Sequence, residues 1–128
     1  MAELTLLDTD VLIAHLRGYE PAKCWLIQAR RQGRLEISVV TIAEISGGMR
    51  SLERTVWDML ALLNPQPVSE AIARRAGEHL RTFRRSHQGI GLADYLIAAT
   101  AELHGAQLAT LNVKHFPMFE GLQPAFRI

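Results

Sequence analysis

The sequence predicts an α/β fold, a three-layer sandwich with a central, mainly parallel sheet between helices. Two observations carry this expectation. Short apolar runs (Glu3–Leu7, Leu35–Val40 and Gln107–Leu111) alternate with longer segments of helical spacing. Such alternation implies a parallel sheet covered on both faces. The chain has 128 residues, which fits one domain over residues 1–128.

The elements follow in order. Glu3–Leu7 ends at a polar break and reads as a buried strand. Asp8-Thr9-Asp10 offers N-capping side chains to a helix from Val11 to Arg17, stopped by Gly18. Pro21 suits the first turn of a second helix, Glu20 to Arg31, which ends at Gly33. Leu35–Val40 is the second strand. Thr41 with Glu44 resembles a capping box for a helix that pauses at Gly47-Gly48 and resumes to Leu63. Asn64-Pro65-Gln66-Pro67 breaks it, and Pro67-Val68 is a candidate short strand. Ser69 caps a long helix to about Ser86, with Ala73, Ala76, Leu80 and Phe83 at helical spacing. A turn at Gly89-Ile90-Gly91 precedes a nearly all-apolar, hence buried, helix from Leu92 to His104, stopped by Gly105. Gln107–Leu111 is a further strand and Leu122–Phe126 a candidate last one.

Composition narrows the function. With 48% apolar and 21% charged residues the chain is neither disordered nor fibrous. A net charge of +1 means that any nucleic-acid binding rests on local patches. The single cysteine, Cys24, excludes an internal disulfide and a cysteine-based zinc site, and suits a reducing compartment. The N-terminus lacks a basic region followed by a long apolar one, and Ile90–Ala101, interrupted by Asp94, is too short to span a bilayer. A cytoplasmic protein, away from the membrane, is expected.

The acids carry the sharper signal. Asp8 and Asp10 sit beside apolar runs, Asp94 is the only charge between Gly89 and Ala101, and Glu44 is the only charge between Ile37 and Ser46. A carboxylate in such a setting loses hydration unless it is paired, protonated or bound to metal. In parallel sheets, ligands bind beyond the carboxyl ends of the strands. Asp8, Glu44, Asp94, Asn112 and His115 all follow strands or open helices, so they can meet on that rim. If the carboxylates converge, a hard dication, Mg²⁺ or Mn²⁺, removes their repulsion and brings the chemistry of phosphodiester hydrolysis. No histidine pair stands at i, i+4 beside an acid, so zinc is poorly supported. Glu36 reads as solvated surface.

Four stretches, in order, carry a resemblance that covers essentially the whole chain. They are Leu6–Ile13, Ser38–Ile45, Ile90–Ala101 and Leu108–Phe116. Together they resemble PIN-domain ribonucleases, and within them the VapC-type toxins of bacterial toxin–antitoxin pairs. The resemblance implies an endoribonuclease in which Asp8, Glu44 and Asp94 bind Mg²⁺ or Mn²⁺, with Thr9 or Thr41 hydroxyls in support. It also implies an RNA substrate, a VapB-like antitoxin that fills the groove, and a homodimer. The chain departs from the family where a fourth acid is common: Asn112 and His115 stand there. Asn112 offers an amide oxygen and is taken as the fourth catalytic position; His115 is a candidate phosphate contact.

Plainer readings compete. Asp8 or Asp10 caps a helix, and Asp10, already inside the helix, is the secondary metal candidate. Arg74, Arg75, Arg81, Arg84, Arg85 and His87 form one basic stretch, and Arg17, Lys23, Arg30, Arg31 and Arg34 another. Either is a phosphate-binding patch or a solvated face. His15, His79 and His104 read as surface or cap residues, and Tyr95 as a weak base-stacking candidate. Trp25, Leu26, Trp57 and Leu60 form a tentative partner surface. The alternatives are a magnesium-binding receiver-like signalling module, a haloacid-dehalogenase-type phosphatase, an inactive binding domain, and a PIN-type nuclease of RNA processing without an antitoxin. The RNA target, the number of metals and the oligomeric state are not encoded in any motif.

Overall fold

The structure, a computed structural model, describes residues 3–48 and 53–127. In chain order the elements are β1 (Glu3–Leu7), α1 (Thr9–Leu16), α2 (Glu20–Gln32), β2 (Gly33–Ser38), α3 (Val39–Gly48), α4 (Arg54–Leu62), β3 (Pro65–Gln66), α5 (Glu70–Phe83), α6 (Leu92–His104), β4 (Gln107–Ala109) and a short 3₁₀ turn, Val113–His115. The strands form one sheet in the order β3-β2-β1-β4, and every pairing is parallel.

Alternation along the strands builds the three layers. Leu7, Leu35, Ile37 and Ala109 point to one face and pack with Leu12, Ile45, Leu60 and Leu63 of the helical side. Leu6 and Leu108 point to the other and pack on Ile97, Ala98 and Ala101 of α6 and on Phe116. A third cluster, Ile72, Ala76, Tyr95 and Ala99, seals α5 onto α6. Burial of these side chains contributes roughly 1.5–3 kcal/mol for each large one.

Local chemistry sets the ends of the elements. Asp8 caps α1 through its own carboxylate, which accepts from Thr9 N at 2.8 Å. Ser69 caps α5, accepting from Ile72 N at 3.1 Å. Gly105, at φ +63°, closes α6 in the left-handed conformation that glycine adopts at low cost. Gly33 serves packing: a Cβ there would collide with the Glu3 carbonyl across the β1–β2 pair.

Several expectations need correction. The second strand stops at Ser38, because the Ser38 hydroxyl accepts from Val40 N (3.0 Å) and turns the chain into α3 two residues before Thr41. Thr41 is therefore a buried helical residue and not a cap. The third strand lies at Pro65–Gln66 and not at Pro67-Val68. Gln107–Leu111 is strand only to Ala109, and α5 ends at Phe83, short of Ser86. Leu122–Phe126 is not a strand; beside β4 it gives one backbone bond, Ala125 N to Thr110 O at 2.9 Å. Helix α6 is not buried throughout, since Leu92 and Leu103 are exposed. The resumption of helix between Gly48 and α4 falls partly outside the described residues. No helix among the described residues is long and apolar enough to cross a membrane.

Candidate active site

Strand β1 lies between β2 and β4, so the chain leaves it in one direction for β2 and later returns on the other side. This is the place where an open parallel sheet splays its loops into a crevice. The Asp8 N–H donates to Ala109 O at 2.8 Å and ties the two strand ends together. A cleft of about 190 Å³ opens above them, lined by Asp8, Thr9, Asp10, Ile13, Glu44, Asp94, Asn112 and His115.

Each carboxylate takes a protein donor. Asp8 Oδ2 accepts from the Thr110 hydroxyl at 2.7 Å. Asp10 Oδ2 accepts from Leu111 N at 3.1 Å and lies 3.3 Å from the same Thr110 hydroxyl. The Thr9 hydroxyl donates to Glu44 Oε1 at 2.6 Å and stands 3.0 Å from the Thr41 hydroxyl. With its one hydrogen on Glu44, Thr9 accepts from Thr41. Asp94 Oδ2 accepts from Gly91 N at 3.2 Å and from His115 Nδ1 at 3.0 Å. Asn112 sits exposed at the mouth, its N–H donating to Thr110 Oγ1 at 3.0 Å.

The electrostatics are unfavourable as they stand. Asp8 is only 6% exposed. Burial first, then the neighbouring Asp10 charge, pushes its carboxyl up to about 7, against the lowering effect of the Thr110 and Thr9 bonds; Asp94 adds a further upward push. Asp10 is also raised, by burial, although bonds from Leu111 and Thr110 oppose it. Asp10 Oδ1 is buried and has no hydrogen-bond partner among the described residues. An unpaired carboxylate oxygen in a cleft shared with three further carboxylates fits a cation, and an all-oxygen set suits a hard one. Among the described residues no three His, Cys, Asp or Glu side chains already stand close enough together to hold one ion. Glu44 is turned to Thr9, and Asp94 to His115 and Gly91.

The sequence reading is altered in several places. All of Asp8, Glu44, Asp94, Asn112 and His115 line one cleft. The cap falls to Asp8, whereas Asp10 crosses to the β4 end and carries the orphaned oxygen. Thr110 was not singled out, yet it contacts both aspartates. Its one sequence signal is its place immediately after a strand. His115 is engaged with Asp94 rather than left open for phosphate. Tyr95 cannot stack on a base, being fully buried with its hydroxyl unpartnered. His79 and Glu36 are buried, not surface residues, and pair with Glu102 and His104 respectively. Of the tentative partner surface, Leu60 is buried and Trp25 packs on the core and on Phe126; Trp57 is exposed.

Carboxylates gathered in a crevice at the switch point of a small parallel sheet suit the class of hydrolases that work with a hard cation, and comparison with known proteins gives the family. Residues 5–117 match the PIN domain, and the chain belongs to the PIN-domain family. Within that family it is 60% identical to Ribonuclease VapC10 of Mycobacterium tuberculosis, over 98% of this chain and 95% of the relative. It is 39% identical to Ribonuclease VapC19 of the same organism, over 96% of this chain and all of that one. Among solved structures, a toxin-antitoxin complex from Klebsiella pneumoniae superimposes with a TM-score of 0.79 at 29% identity, covering 97% of this chain and 99% of that one. Family membership sets aside the receiver-like and dehalogenase-type alternatives.

Proposed function

We propose that the chain is an endoribonuclease of the VapC kind, hydrolysing RNA phosphodiester bonds with Mg²⁺ or Mn²⁺ held by Asp8, Glu44 and Asp94. Asp10 joins that set, and Asn112 contributes a neutral amide at the mouth of the cleft. One observation carries this reading: buried Asp8 and half-buried Asp10 are carboxylates in a PIN-domain cleft, pushed upward by desolvation and lacking any cationic side chain of their own among the described residues. A dication, when bound, supplies Lewis-acid activation of water and neutralises charge that develops on the phosphate.

The protein's own groups prepare that event. Thr110 holds Asp8 and Asp10 in register, and Thr9, backed by Thr41, holds Glu44. His115 fixes the rotamer of Asp94. Such outer partners orient ligands and are worth roughly 10–100-fold in affinity or activity. The family match and the VapC relatives support the toxin role. The toxin–antitoxin complex that shares this fold supports a VapB-like antitoxin as partner. We assign the chain to the cytoplasm and to a homodimer as part of the same reading.

The test is cleavage of a structured RNA by the purified chain with Mg²⁺ or Mn²⁺, beside EDTA and beside Asp94→Asn, with folding of the variant checked by circular dichroism. Cleavage is expected only from the parent chain with metal. Unchanged cleavage in EDTA or in a folded Asp94→Asn variant overturns the mechanism.

A further inference from the structure

Three hollows share residues with the acidic cleft; one, at Ile13 and Glu44, is walled by Leu16, Ile45 and Arg17, and the chemistry of the remaining two differs. One shares Asp10, Ile13 and Asn112 with it and is walled by Ala14, Tyr19 and Leu111, with Arg17 as its only cation among the described residues. The other meets the cleft at His115 and is lined by Ser86, His87, Gln88, Val113, Lys114 and Pro117. It lies between the turn that joins α5 to α6 and the 3₁₀ turn after β4. Among the described residues no carboxylate lines it, whereas hydroxyl, amide, imidazole and ammonium groups do.

The basic run of α5 divides at the same place. Arg74 and Arg75, at its start, are committed to Glu70, Glu78 and Glu102. Arg81, Arg84, Arg85 and Lys114 are exposed and have no acidic partner among the described residues. Unpaired cations beside a donor-lined hollow attract a polyanion, because no internal carboxylate competes for them. The reacting phosphate of a nucleic acid cannot enter the cleft alone, since its neighbours along the strand must rest on the adjoining surface. A strand that rested on the apolar hollow would leave charged phosphates against Ile13, Ala14 and Leu111.

We propose that the RNA strand flanking the scissile bond lies in the hollow between the α5–α6 turn and the 3₁₀ turn, with its phosphates on Lys114 and His87. This rests on the ribonuclease reading and adds to it the direction in which substrate leaves the site. The contact is electrostatic and independent of base identity, so it contributes affinity and salt dependence rather than sequence choice.

The experiment measures binding of a labelled single-stranded RNA to the full chain at several salt concentrations, with Ca²⁺ as the ion. Lys114→Ala and His87→Ala are each expected to raise Kd about 3–10-fold. Lys114→Ala should also lower the slope of log K against log salt by about 0.7, the value of one single-strand phosphate contact. Arg30→Ala with Arg31→Ala, on the exposed and remote α2, should leave both readouts unchanged. The inference is overturned if the hollow variants, with unaltered Tm, bind RNA like the parent, or if the α2 variants weaken binding equally. Loss of antitoxin capture with RNA binding intact also overturns it, and marks the hollow as a protein-docking surface. A parent chain that neither binds nor cleaves RNA brings down the ribonuclease reading itself; cleavage by the parent beside unaffected variants brings down this inference alone.

Discussion

Buried and half-buried carboxylates occur in two regions of this molecule, and the protein treats them differently. At the α5–α6 seam and on the α6 face of the sheet, each one has a basic side chain facing it. Glu102 meets His79 and Arg75, and Glu36 meets His104. Burial pushes the Glu102 carboxyl up, but the bonds from His79 and Arg75 outweigh it and hold the group below its ordinary value. At the carboxyl ends of β1 and β4 the balance is reversed: Asp8 and Asp10 receive only neutral donors and are pushed upward. The first arrangement holds two helices together. The second leaves charge uncompensated at the candidate active-site cleft, and perturbed groups concentrate at such sites.

Breaking the second region is expected to give the largest effect. Asp8→Asn should lower RNA cleavage by more than the roughly 100-fold upper value for loss of an outer partner, measured as turnover with saturating Mg²⁺. The same variant should melt higher than the parent in EDTA at pH 8, because it removes a buried charge. Equal or lower Tm would show that the charge is not a burden.

The pH dependence follows from the same group. Below pH 3.8 the Asp8 carboxyl is protonated in both folded and unfolded chains. Above that, the unfolded chain ionises first, and the folded chain follows only near pH 7. The folded state therefore binds more protons in this window, and metal-free stability falls as pH rises through it, by up to about 4 kcal/mol. Urea titrations at pH 4.5 and 7.5 in EDTA check this, and Asp8→Asn should flatten the difference. Excess Mg²⁺ should restore stability at the higher pH, since it binds the ionised form.

The paired region should respond in the opposite sense. His79→Ala leaves Glu102 with Arg75 alone and opens space at the α5–α6 seam, so it should cost about 1–3 kcal/mol in urea unfolding. Cleavage well below the melting temperature should stay within twofold of the parent. A large loss of turnover with unchanged stability would erase the distinction between the regions. Tyr95→Phe gives the smallest effect: it removes a buried hydroxyl without a partner and should add about 1 kcal/mol.

Much of this was legible locally. Helix starts at Ser69 and stops at Gly105 depend on a capping hydroxyl and a left-handed glycine, and both are readable within a few residues. Asp8 and Asp94 stood out because charge in an apolar run is costly wherever the run folds. The start of α3 is not legible in this way, because the Ser38 cap competes with the β-branched Val39 and Val40, and propensity alone favours the strand. The role of Asp10 is equally hidden, because its partner, Leu111 N, is a backbone group far along the chain, which no residue type signals.

Hydrophobic period, punctuation by glycine and proline, and the cost of isolated charge therefore determined the layers and the acids, since each acts over a few neighbouring residues. Only the tertiary structure decided which acids face a basic side chain. His79 lies 23 residues from Glu102, and His104 lies 68 from Glu36, whereas Thr110, 102 residues from Asp8, brings that group a hydroxyl and no charge. Whether a buried carboxylate stabilises the fold or waits for a cation depends on what the packing sets opposite it, and contact across the sheet has no period along the chain.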